Sequence, residues 1–138
     1  MKQKIYRAGL IPYVVSSTEK PRMMFMKPSD VRYGGDKFQI AKGKIEIEDL
    51  SPEEAAIREA EEELGLVPEN IEQIWKLGIY LGRTTIYVAK LYDNENFIPF
   101  GDESSDVAWM NEDEFLKDGR PLHHSIISDA MSYVINYN

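Results

Sequence analysis

The stretch Ser51-Pro52-Glu53-Glu54-Ala55-Ala56-Ile57-Arg58-Glu59-Ala60-Glu61-Glu62-Glu63-Leu64-Gly65 places one element before any other can be placed. Ser51 suits an N-cap, and Pro52 suits the first helical position, where a missing N–H is no loss. Glu54, three residues after Ser51, completes the pattern of a capping box. Gly65 stands where a left-handed C-cap belongs. The spacing predicts a helix over 52–64, about 20 Å long. On a wheel of about 100° per residue, Glu59, Glu62 and Glu63 share an arc of about 100°. Ile57, Ala60 and Leu64 form a separate apolar stripe suited to a core, Ala55 lies inside the acidic arc, and Glu61 points away into solvent.

Around this helix the chain reads mostly as strands. Residues 5–15 (IYRAGLIPYVV) are β-branched and aromatic, with Pro12 suggesting a bend or an edge. RMMFMK reads as the returning strand, its methionines alternating between core and surface, and FQIAKGKIEIE as short strand pieces. IEQIWKLGIYLG and RTTIYVAKLYD form a hairpin, and FIPF and VAWM are short strands. Asn111 caps a short helix, and Ile126, Ile127, Ala130, Met131 and Val134 recur at helical spacing in the tail. Strands interrupted by helices argue for a mixed sheet with helices on its faces. At 138 residues, with no repeat and no Gly/Ser linker, one domain is expected.

Charge and composition narrow the function. Sixteen basic against twenty-four acidic residues leave a net charge of −8, which disfavours a general nucleic-acid backbone binder. Small phosphorylated ligands stay in play, because a bound cation reverses the sign locally. With no cysteine there is no disulfide framework, thiol nucleophile or cysteine zinc site. No apolar run nears the roughly 20 residues of a membrane span, so a cytoplasmic protein is the default expectation.

Three carboxylates on one arc repel, and in a partly buried site they stay ionised only if a cation offsets the repulsion. Hard oxygen ligands suit Mg²⁺ or Mn²⁺ rather than Zn²⁺. Arg58, four residues before Glu62, is placed to pair with it and orient it. Glu-rich faces with such arginines are solvated on most helices, so the wheel alone leaves a solvated face and a metal-binding face both open. Lys42 and Lys44 flank Gly43 as candidates for substrate phosphates, exposed loop lysines being the alternative. Arg7, Arg32 and Arg83 are further candidates without positional support. Tyr33 and Phe38 suit either base stacking or the core, with the core favoured, and Trp75 and Trp109 read as packing. His123 and His124, adjacent on a helix, diverge too far to share an ion, and capping or exposure is the better reading.

Read with its upstream glycine, Gly43–Leu66 (GKIEIEDLSPEEAAIREAEEELGL) resembles the Nudix box, the loop–helix–loop signature of the Nudix hydrolases. Arg58, Glu59, Ala60, Glu62, Glu63, Gly65 and Leu66 fill its Arg-Glu-aliphatic-any-Glu-Glu-any-Gly-aliphatic half in order. The loop half is one residue longer than the pattern, leaving Asp49 or Glu48 to stand for the loop glutamate. RAGLIPYVV is similar to the first strand of many members. FQIAKGKIE is similar to the stretch preceding the box in relatives acting on dinucleoside polyphosphates. ESSDVAWMNEDEF resembles an acidic–spacer–Trp segment that puts Glu103 on a loop near the metals.

The resemblance implies a single Nudix hydrolase domain over 1–138, an α+β fold built as an α/β/α sandwich with a mixed β-sheet. It implies Mg²⁺ (or Mn²⁺) bound by Glu59, Glu62 and Glu63, with Arg58 orienting a glutamate. Lys42 is the substrate-binding candidate, and Glu62 and Glu103 are the candidates for the general base. The implied reaction is hydrolysis of a pyrophosphate bond in a nucleoside diphosphate derivative, such as a dinucleoside polyphosphate or an ADP-ribose-like compound. A nucleoside triphosphate pyrophosphohydrolase and a catalytically silent nucleotide-binding module are the alternatives. Relatives are commonly homodimers, and a small nucleotide is the implied partner, with neither a nucleic-acid duplex nor a membrane.

Overall fold

The computed structural model describes residues 6–16, 19–30, 32, 36–92 and 104–137. Tyr33, the FIPF strand and Glu103 of the sequence reading lie outside them. The described strands are β1 (Arg7–Val14), β2 (Arg22–Pro28), β3 (Ala41–Lys44), β4 (Ile71–Tyr80), β5 (Thr84–Leu91) and β6 (Ser104–Met110). The helices are α1 (Pro52–Leu64), α2 (Glu112–Asp118) and α3 (His124–Tyr137), with 3₁₀ turns at Pro68–Asn70 and Pro121–His123.

The sheet runs β4-β5-β1-β2-β6, with β3 pairing β1 beside this path. β1 is parallel to β5 and antiparallel to both β2 and β3, so the sheet is mixed. Pro12 marks neither a bend nor an edge, because β1 lies in the interior. One side of β1 pairs with β3 over residues 7–10 and with β2 over 13–14. Pro12 falls in the gap between those partners, a stretch where a missing N–H is tolerated.

Both faces of the sheet are covered. Ala8, Leu10, Met24, Met26, Tyr87 and Ala89 pack beneath Ala55, Ala56, Ala60 and Leu64 of α1. On the other face Tyr13, Met23, Phe25, Ile86 and Val88 meet Phe115 of α2 and Ile126, Ile127, Ala130, Met131 and Val134 of α3. Each large side chain buried completely in this way contributes about 1.5–3 kcal/mol. Met23, Met24 and Met26 therefore do not alternate between core and surface: all three are buried, because each face of β2 has a layer on it. Trp75 packs as expected, stacking on Tyr13 with ring centroids 6.4 Å apart.

Helix α1 has the predicted bounds and caps. Ser51 Oγ accepts from the Glu54 N–H, and Gly65, at φ 79°, sends its own N–H to the Glu61 carbonyl at 3.0 Å. Leu66 N–H closes the end on the Ala60 carbonyl at 3.3 Å. Among the described residues the reciprocal capping box forms at α2 instead, between Asn111 and Glu114.

Candidate active site

The face that α1 turns to the sheet keeps Ala60 and Leu64 of the apolar stripe but is wider than that stripe. Its buried residues are Ala55, Ala56, Glu59, Ala60, Glu63 and Leu64, whereas Ile57 is only half-buried. Three alanines let the helix sit close to the sheet, and Ala55 is packed into the core rather than leaving room for a ligand. Two of the three acidic residues are thereby driven inward: Glu59 is 7% exposed and Glu63 8%. Glu61 is likewise half-buried rather than merely solvated, and it shares a groove on the outer side of α1 with Asp49, Glu54, Ile57 and Arg58.

Strand β3 supplies the wall opposite these carboxylates. Its Gly43 pairs with Ala8 of β1, and a Cβ there would lie 2.4 Å from the Glu59 carboxylate carbon. Only a residue without a side chain lets Glu59 rest against the strand. One residue earlier, the Lys42 N–H donates to Glu63 Oε2 at 3.2 Å. The Glu63 side chain lies close enough to act on the Glu59 carboxyl. Burial pushes the Glu59 carboxyl above its usual range and the charge of Glu62 adds to this, while Arg58 pulls the other way.

Arg58 is the hub that joins this helix to the loop before it. Its Nε and Nη2 donate to the two oxygens of Asp49 at 3.0 and 2.9 Å, and Nη2 also donates to the Lys44 carbonyl. Nη1 donates to Glu59 Oε1 at 3.0 Å and reaches Glu62 Oε1 only at 3.5 Å. The i,i+4 partner is thus the weakest contact, and a bidentate pair nine residues back in sequence is the strongest. The Arg58 guanidinium holds the Asp49 carboxyl below the usual carboxylate range, and Asp49 also accepts the Glu46 N–H. Asp49 is thereby engaged in bracing the loop, and Glu48 is exposed on a turn.

Of the residues singled out from sequence, Glu59, Glu63, Arg58 and the Lys42 backbone come together, and Glu62 stays half-exposed at the rim. Among the described residues no three carboxylates or imidazoles are gathered into a metal centre. The donors nevertheless fit a hard divalent cation. Two buried carboxylates share one recess, both offer oxygen alone, and Gly43 keeps a Cβ out of the space beside them. Phe38 is core, 8% exposed, with Lys27 Nζ 4.8 Å from its ring centroid. Arg32 is tied to Asp30 at 2.6 Å.

Sequence reasoning missed His123. It is neither exposed nor a cap: it is 0% exposed, and its Nδ1 accepts the Ile40 N–H at 3.2 Å, pinning the connection before α3 to the approach of β3. Burial holds its pKa down, to about 3, with Lys42 and Arg120 adding to the effect. The same enclosure lowers the Lys42 ammonium, mainly by burial and then by Arg7 and Arg120. No helical or strand periodicity flags His123, because it sits on the 3₁₀ turn Pro121–His123.

A family profile for the NUDIX domain matches residues 12–130. No curated protein matches the chain. Among solved structures, it is similar to a Nudix hydrolase from M. smegmatis, RenU, at 16% identity and a TM-score of 0.77, covering 96% of this chain and 87% of that one. It is similar to a C. elegans Ap4A hydrolase binary complex at 19% identity and a TM-score of 0.74, covering 95% and 99%. A third likeness is the NUDIX domain of Shewanella oneidensis NrtR complexed with ADP ribose, at 18% identity and a TM-score of 0.77, covering 97% and 90%. At such identities the likeness is one of fold, an α+β arrangement around a mixed sheet.

Proposed function

This chain belongs to the NUDIX domain family and is a hydrolase of pyrophosphate bonds, and on that premise we propose that it cleaves a nucleoside diphosphate derivative with Mg²⁺ or Mn²⁺ bound. The observation that carries this reading is the recess between α1 and β3. There Glu59 and Glu63 are buried together against Gly43, with one arginine as their cationic neighbour on the helix. A buried carboxylate pair of this kind, braced by Arg58 and by the Lys42 N–H, is a place that can receive a divalent ion. Glu59 and Glu63 would hold it from within, and Glu62 would join from the rim. An ion held by these residues would supply charge withdrawal from phosphoryl oxygens and a lowered pKa for a water.

The chain's own groups supply the rest. Arg58 fixes the Glu59 carboxylate and braces the loop through Asp49, so the recess keeps its shape. Glu62, the most exposed of the three, is the candidate to take a proton from the attacking water, and Glu103 shares that candidacy. Lys42 presents its ammonium beside the recess for a phosphate oxygen. Dinucleoside polyphosphates and ADP-ribose-like compounds are the leading substrates, in keeping with the ligands named for the C. elegans and Shewanella proteins.

The test is release of phosphate-containing products from a panel of dinucleoside polyphosphates, ADP-ribose and nucleoside triphosphates, with Mg²⁺, with Mn²⁺ and with chelator. Activity should need the metal and fall about a hundredfold or more in Glu62→Gln and Glu63→Gln. Turnover that survives chelation, or variants as active as the parent, would overturn the assignment.

A further inference from the structure

Two large aliphatic side chains stand in open water on the loop before α1. Ile47 is 97% exposed and Leu50 88%, against at most 64% for any other large apolar side chain among the described residues. The turn that carries them is held at three points. The Asp49 N–H donates to the Glu46 carbonyl at 3.1 Å, the Glu46 N–H donates to Asp49 Oδ2 at 2.8 Å, and the Arg58 guanidinium grips both Asp49 oxygens. A loose loop folds its apolar side chains back onto the protein, whereas this one is tied in a shape that holds them out.

A third aliphatic side chain lies on the neighbouring helix. Ile57 belongs to neither core layer and lines a groove of about 470 Å³ on the outer side of α1. Glu53 stands four residues before it, Glu54 three before and Glu61 four after, so all three border it on one helix face. None of these three carboxylates forms an ion pair among the described residues. Asp49 and Arg58, also at the groove, are engaged with each other, so its net charge comes from the three glutamates. Asp49 joins the groove to the turn of Ile47 and Leu50.

We infer that this turn and groove form a docking surface for a basic amphipathic segment of a partner protein. The segment's large apolar side chains cover Ile47, Leu50 and Ile57, and its lysines or arginines meet Glu53, Glu54 and Glu61. Charge selects this occupant over the others. A second copy on a two-fold axis would set the same glutamates against each other, in a chain already at −8. An anionic lipid surface or a nucleic-acid backbone is repelled for the same reason. The surface lies on the solvent side of α1, away from the buried Glu59 and Glu63, and it stands whether or not the hydrolase reading does.

The experiment is fluorescence anisotropy of a labelled amphipathic leucine–lysine peptide titrated with the full chain, with a leucine–glutamate peptide of the same pattern as control. The parent should bind the lysine peptide alone, and more weakly as salt rises. Ile47→Ser combined with Leu50→Ser should weaken binding on the order of tenfold. Glu53→Gln combined with Glu61→Gln should weaken it by a similar factor and flatten its salt dependence. Since these side chains lie outside both core layers, the variants should keep the parental melting temperature. Amide shifts on adding the peptide should concentrate in 46–61. A parent that does not bind, folded variants that bind as the parent does, a glutamate peptide that binds equally, or amide shifts centred elsewhere would each overturn the surface. A parent dimer in sedimentation that Ile47→Ser with Leu50→Ser dissociates would overturn the partner segment and give the surface to a second copy.

Discussion

Replacing Gly43 by alanine separates the site from the fold. Gly43 is not in the left-handed region, so its backbone accepts alanine without strain. The added Cβ would stand 2.4 Å from both the carbon and Oε1 of the Glu59 carboxylate and 2.6 Å from Oε2. Ordinary carbon contacts begin near about 3.5 Å, so the carboxylate must retreat by about 1 Å. It is the end of a side chain and can do so, but the move strains its 3.0 Å bond to Arg58. A weakened charge-assisted hydrogen bond sets the stability cost at about 1–2 kcal/mol. In a chain of this size that lowers the melting temperature by about 4–8 °C. A displaced ligand of about 1 Å costs far more in turnover, on the order of a hundredfold in kcat/KM, or about 2.7 kcal/mol of transition-state stabilisation. Circular-dichroism melts and metal-dependent kinetics on the same preparation measure both. A Gly43→Ala protein with parental kcat/KM would refute the reasoning, and so would one that fails to fold, since only a side chain stands in the way.

Three further outcomes follow from the same geometry. The His123 pKa of about 3 lies below the ordinary 6.5, so above pH 6.5 the ring is neutral in both states and its contribution is fully present. Between pH 6.5 and about 3 only the unfolded chain takes the proton, and stability declines by up to about 1.4 kcal/mol per pH unit. Urea melts across that window should show His123→Gln with a slope shallower by one proton, and parallel profiles would contradict the burial argument. Arg58→Lys should destabilise by about 2 kcal/mol, because a point charge cannot reproduce the paired bonds to Asp49 and the contacts to Glu59 and Lys44; urea midpoints at neutral pH would measure it, and parental stability would show the hub to be ornamental. Ser51→Ala removes the acceptor for the Glu54 N–H and should cost about 1 kcal/mol while leaving metal-dependent turnover unchanged, as melts and kinetics run side by side would show.

Local chemistry determined as much as local chemistry can. Ser51, Pro52 and Gly65 bound a helix without reference to anything distant, since caps satisfy backbone groups within one turn. The hairpin of β4 and β5 and the apolar spacing of α3 were likewise written in neighbouring residues. The order of the carboxylates along α1 was legible too, but not which of them would be buried. That was decided by the sheet, whose approach over Ala55, Ala56 and Ala60 carried Glu59 and Glu63 inward and left Glu62 at the rim. Partner choice was equally a tertiary matter: Arg58 takes Asp49, because a bidentate fork outbids a neighbour one helical turn away. The buried place of His123 could not be read from spacing at all, since it sits on the turn Pro121–His123 and meets the Ile40 N–H from far along the chain. Sequence sets which groups a short stretch can satisfy by itself; packing alone sets which charges are brought together from far along the chain and stripped of water.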